Sequence, residues 1–164
     1  MVGSRAMPAP LCPCSSGAAY RDCCAPFHRG AEPPTPQALV RSRYAAFALG
    51  EIDYLYRTLH GDHPDRLRHG RDHVLAALRA ASSTFRYLGL ALWDERDADA
   101  DGVAHVLYRA RLFRRGADVS FVELADFARE ADGWRYLAGV TVDAAKVDDE
   151  PTARSIDGFR AARR

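Results

Sequence analysis

The chain has 164 residues, 48 % hydrophobic and 27 % charged, with 23 basic and 22 acidic side chains for a net charge of +1. Those values fit one globular core of ordinary size plus a small appendage. They give no electrostatic case for nucleic acid or an anionic membrane surface, and no apolar run approaches the ~20 residues a membrane helix needs.

Residues 1–10 are polar and proline-bearing and read as a flexible N-terminus. The next stretch holds every cysteine of the chain, Cys12, Cys14, Cys23 and Cys24. Four soft ligands at this spacing suit a tetrahedral zinc site. Pro13 limits the backbone between the first pair, and Ser15-Ser16-Gly17 reverses the chain. A short helical turn over 18–24 then presents the second pair. Adjacent cysteines strain one another when both ligate, so His28 is an alternative fourth ligand to Cys24. No signal-peptide pattern is visible. The expected compartment is therefore the cytoplasm, where reducing conditions disfavour disulfides. Residues 11–30 are read as a zinc knuckle.

Pro26, Gly30, Pro33, Pro34 and Pro36 exclude regular helix from the linker that follows. Thr35 is an expected N-cap with Pro36 at the first helical position, and Gly50 an expected left-handed stop. The helix between them turns Leu39, Val40, Tyr44 and Phe47 to one side. Short helices are expected over 51–59 and from Arg71 to Ala81, with a loop over 61–70. The period then changes. Four strands are expected over 84–95, 103–114, 118–130 and 133–143, with Asp132-Gly133 a hairpin signal. Helices followed by an antiparallel meander define an α+β domain over residues 35–143. Residues 144–164 lose apolar periodicity and read as a mobile C-terminal tail.

Within the domain, alternation places Val119, Phe121, Glu123, Ala125 and Phe127 on one strand face. Glu123 among such neighbours needs a partner or a raised pKa. Arg109 and Arg111 are the expected partners, in a salt bridge or at a rim. Glu123, His105 and Tyr108 are the candidates for chemistry. Arg41 and Arg43 are candidates for anion or partner contact, or for a clamp that fastens the helix. His60, His63, His69 and His73 read as surface loop histidines rather than a second metal site.

The pattern CPCSSGAAYRDCC resembles the SEC-C zinc motif. Pro34-Thr35-Pro36, Leu39-Val40-Arg41-Ser42-Arg43-Tyr44, Asp53-Tyr54-Leu55 and Trp134-Arg135-Tyr136-Leu137-Ala138-Gly139 extend the match, and residues 11–142 together are similar to the YchJ family. Ser15 stands where the motif usually carries glycine, and Ala18-Ala19 where it carries a basic pair. The resemblance implies a curved NTF2-like cone behind the knuckle. It also implies a protein-interaction adaptor whose knuckle meets a chaperone, ribosome or translocation component. The competing expectation is a small-molecule binder or enzyme that uses the cone.

Overall fold

A computed structural model describes residues 7–163; the expected flexible N-terminus falls largely on residues 1–6, outside the described residues. A 3-10 turn, Tyr20–Asp22, precedes the helices α1 (Ala25–His28), α2 (Pro36–Leu49), α3 (Ile52–Arg57), α4 (Pro64–Arg68) and α5 (Arg71–Thr84). The strands follow: β1 (Arg86–Arg96), β2 (Ala104–Arg114), the two-residue β3 (Ala117–Asp118), β4 (Phe121–Glu130) and β5 (Gly133–Asp143). They form one antiparallel sheet in the order β1-β2-β4-β5, with β3 paired to the end of β2.

Local chemistry sets the helix ends. The Thr35 hydroxyl accepts from the Ala38 N–H at 3.1 Å, and Pro36 occupies the first turn. Gly50 closes α2 at φ +78°, donating its N–H to the Ala46 carbonyl at 2.8 Å. Those are the expected cap and stop. The loop expected over 61–70 instead contains α4. The His63 imidazole accepts from the Asp65 N–H at the start of α4 and packs on Tyr136 at 5.1 Å between ring centroids, so this histidine is buried rather than solvated.

Alternation gives the sheet two apolar faces. Val106, Ala110, Leu112, Ala125 and Phe127 pack on Leu39, Val40 and Tyr44 of α2 inside the cone. Leu107, Val122 and Leu124 point the other way. That outer face is covered by the segment after β5, which folds as two 3-10 turns (Ala144–Lys146, Pro151–Arg154) and α6 (Ile156–Ala162). Ala144, Val147, Ala153, Ile156 and Phe159 are buried there. The expectation of a mobile tail over 144–164 is thus corrected. The segment is short of helical period because its apolar residues are spread over three small elements, and each becomes buried only against the sheet.

Ionic contacts fasten this cover. Arg109 donates two hydrogen bonds of 2.7 Å to the Asp148 carboxylate, and Asp94 accepts from the Ile156 N–H at 2.8 Å. Among the described residues, no helix is long and apolar enough to cross a membrane.

Candidate functional site

The knuckle begins with a bridge between Leu11 and Ala19, tightened by the Cys12 N–H donating to the Ala18 carbonyl at 2.8 Å. Ser15 at φ +65° and Gly17 at φ +82° make the reversal. The left-handed conformation at Ser15 is why glycine suits this position. The serine side chain has a use here: its Oγ accepts from the Leu90 N–H of β1 at 3.0 Å and so ties the knuckle to the sheet. The 3-10 turn and α1 then carry Cys23 and Cys24 back to the first pair.

The four Sγ atoms lie within 4.8 Å of one another, with Cys14–Cys23 at 3.5 Å and Cys23–Cys24 at 3.8 Å. A tetrahedral ion with sulfur at ~2.3 Å separates its ligands by about 3.8 Å, so the set is the right size for one. Its protonation also fits. The hydrogen bond from Cys24 holds the Cys14 thiol down at about 4, burial pushes Cys12 up to about 11, and donation to Cys14 pushes Cys24 well above the usual thiol range. One thiolate at the centre of neighbouring thiols is what a compact cluster reaches without a cation, and a divalent ion is what lets the rest ionise.

His28 is engaged elsewhere. Its Nε2 is 2.8 Å from the Ser42 carbonyl, which can only accept, so Nε2 carries the proton. Nδ1, 2.7 Å from the Tyr20 hydroxyl, then accepts. Burial holds this imidazole below its usual pKa, consistent with the neutral form. Both nitrogens are used, and Cys24 is the fourth donor of the cluster. Arg41 donates to the Cys14 carbonyl at 2.9 Å, and Arg57 donates to the Phe27 carbonyl and to Glu32, which also receives Arg135. The knuckle is therefore stitched to the domain along α2, α3 and β5.

The second place is a cavity of about 260 Å³ between α2, α5 and the inner face of the sheet. Its wall is largely aromatic, and Arg43, Tyr108, Glu123 and Tyr136 supply its polar groups. Glu123 sits across from Tyr108 in the β2–β4 register and is only 6 % exposed. Its two carboxylate oxygens accept from the Tyr108 hydroxyl at 2.7 Å and the Tyr136 hydroxyl at 2.5 Å. A side chain at Gly139 would collide with this carboxylate, so the glycine on β5 makes its seat. Burial pushes the Glu123 carboxyl above its usual pKa, against the two hydroxyl donors and Arg43, which pull it down. Burial likewise pushes both tyrosines up.

Arg43, 8 % exposed, donates to the Leu55 carbonyl at 2.7 Å and to the Thr58 hydroxyl at 2.6 Å, with its guanidinium over the Tyr136 ring at 4.9 Å. Thr58 and His60 in turn pair with the backbone of Tyr136, each at 2.8 Å. A segment after α3, a residue of α2 and a residue of β5 thus close one end of the cone together.

Several expectations change. Arg109 and Arg111 do not neutralise Glu123: they share strand parity with Leu107 on the outer face, where Arg109 is taken by Asp148. His105 shares that outer parity and bonds Asp126 at 2.7 Å, away from the cavity. Arg41 and Arg43 part company, two helical residues being ~200° apart. Tyr136 and Gly139 were missed as site residues. The signal that could have found Tyr136 is its place on the strand beside Glu123, but a bulge between Asp126 and Phe127 shifts that register.

A cone of helices on a curved sheet, with a cysteine knuckle at its edge, defines an NTF2-like domain joined to a SEC-C-type motif. Residues 35–139 match the family model described as the YchJ middle NTF2-like domain. The UPF0225 protein YchJ of Shigella dysenteriae is 32 % identical over 142 residues, covering 86 % of this chain and 90 % of the relative. The chain belongs to the YchJ family. Among solved structures, a SEC-C motif containing protein from Rhodopseudomonas palustris is similar at TM-score 0.67 and 30 % identity, covering 80 % of this chain and 98 % of that one. Another from Psychrobacter arcticus shares the fold at TM-score 0.64 and 23 % identity, covering 77 % and 80 %.

Proposed function

We propose that this protein is a binding protein for a small, largely apolar molecule, held in the cone of a domain that a zinc knuckle braces in the reducing cytoplasm. The observation that carries the reading is Glu123. A carboxylate kept deep in an apolar interior, with no ion-pair partner within 4.0 Å among the described residues, is expensive to keep for stability alone. It lines a cavity just below the ~300 Å³ at which ligand sites commonly begin. Cys12, Cys14, Cys23 and Cys24 would hold the zinc. The ion would supply closure of the knuckle and no chemistry in the cone. The test is an NMR screen of single-ring compounds against labelled protein. Shifts confined to Tyr108, Phe121 and Tyr136, lost when Ala110→Phe fills the cavity, are the expected result. No binder in a broad set, or binding that Ala110→Phe leaves unchanged, rejects the reading.

The adaptor reading has one observation in its favour. Leu11, 68 % exposed, stands at the outer edge of the knuckle beside the cysteines. SEC-C motif containing proteins from R. palustris and P. arcticus share the architecture. A protein partner of chaperone, ribosome or translocation class would meet that edge. Capture of a defined partner by wild type and not by Leu11→Asp supports this reading, and equal capture removes it.

A further inference from the structure

We propose that the molecule taken by the cone is a single-ring carboxylate, its carboxylate received by Arg43 and its ring by the aromatic wall. This deepens the binding reading and rests on it. The reason is an imbalance of hydrogen-bonding demand at the closed end of the cavity. Each Glu123 oxygen already accepts from a tyrosine hydroxyl. Arg43 has N–H groups to spare, and none of them is sealed away from accessible space at this wall of the cavity. A guanidinium carries five N–H groups in a planar fork. The Nη1 of Arg43 serves Leu55 and Thr58, and among the described residues no acceptor takes Nε or Nη2. Among those residues Arg43 makes no salt bridge, and Glu123 acts on it only as a more distant charge. Its stacking on Tyr136 occupies a face and leaves the edge for hydrogen bonds. The end of the cavity therefore lacks an acceptor, and a carboxylate meets such a fork with two parallel bonds.

The rest of the cavity selects the ring. Phe47, Phe85, Tyr87, Phe121 and Phe127 line it, and flat apolar walls favour a planar or alicyclic body by stacking and edge contacts. A volume of about 260 Å³ admits one ring and not two fused with substituents. Charge agrees with the assignment. Tyr108, Tyr136 and Arg43 face Glu123, with Asp126 more distant, and the two tyrosine hydroxyls that donate to its oxygens hold the carboxyl away from the free edge of Arg43. An amine has no such place. Arg43, fixed at this end of the cavity by its bonds to Leu55 and Thr58, repels a cation.

The test is a matched series, benzoate, benzamide and benzylamine, titrated by NMR and calorimetry into wild-type protein and into Arg43→Gln. Wild type should bind benzoate at least about tenfold more tightly than benzamide, the scale of one charge-assisted contact, and benzylamine least. Arg43→Gln should abolish the preference for the acid and keep the binding of benzamide. Equal affinities for acid and amide, a preference for the amine, or a preference for the acid that survives Arg43→Gln would overturn the assignment and leave the cavity as a binding site. If no member of the series shifts cavity residues, this assignment falls, while the broader screen still decides the binding reading. The wild-type series decides by itself if Arg43→Gln does not fold.

Discussion

Glu123 carries a measurable signature. Its pKa in the folded state is raised above 4.5, chiefly by burial. Its contribution to stability is then fully present below the unfolded value and is lost as pH rises through the folded one. At neutral pH, above the unfolded value, the raised pKa is a net cost to stability even with Arg43 nearby. Glu123→Gln keeps an acceptor for one tyrosine and offers a donor to the other. The variant should therefore be more stable than wild type at pH 7 by about 1 kcal/mol, or roughly 2–4 °C in Tm. The difference should close as pH falls below 4.5. Thermal melts across that range check it, and a Gln variant less stable at pH 7 would show the carboxylate to be a structural anchor. His28 is the other informative residue, because both its nitrogens hold protein atoms. His28→Ala should lose about 1–3 kcal/mol through the stranded Ser42 carbonyl and Tyr20 hydroxyl. Metal content, by elemental analysis, should stay at one ion per chain.

At the scale of elements, the knuckle is a brace for α2 rather than a separate bead. Cys12, Cys14 and Cys24 pack on Ala45, and the Arg41, Arg57 and Ser15 contacts reach the helices and β1. The cone has its own core on the opposite side of α2. Chelation should therefore melt the knuckle and lower the Tm of the domain while its far-UV circular dichroism is retained. Structural zinc can be worth ~10–16 kcal/mol to a small finger that has no other core. A single cooperative loss of helix and strand signal on chelation would mean that the brace and the cone fold as one unit. Protein purified without chelator under reducing conditions should hold one zinc, and Cys14→Ser should hold none.

For the whole molecule, the C-terminal cover is decisive. It hides Leu107, Val122 and Leu124, which would otherwise leave an apolar sheet face open to solvent. Removing residues 144–164 should make the protein insoluble or strongly destabilised. The milder Phe159→Ala should cost about 3–5 kcal/mol, the range for a buried aromatic. Chemical denaturation measures the second, and an unchanged midpoint would restore the mobile tail.

Sequence alone determined the local parts. Thr35, Pro36 and Gly50 set the ends of α2 because caps and stops act over a few residues. The change of period after α5 marked the sheet, and four clustered cysteines marked a metal-sized donor set because their spacing is short. Alternation along β4 put Glu123 on the face of Phe121 and Phe127, which is where it lies. Only the tertiary structure decided its company. Arg109 is closer in the chain than Arg43, but strand parity sends it outward, and a bulge brings Tyr136 to the carboxylate instead. The same holds for residues 144–162, whose apolar side chains show no period of their own and gain one partner, the outer sheet face, through folding. Signals carried by neighbouring residues are legible in a string of letters. Pairings between distant residues depend on register, parity and crossing, which exist only once the elements are packed.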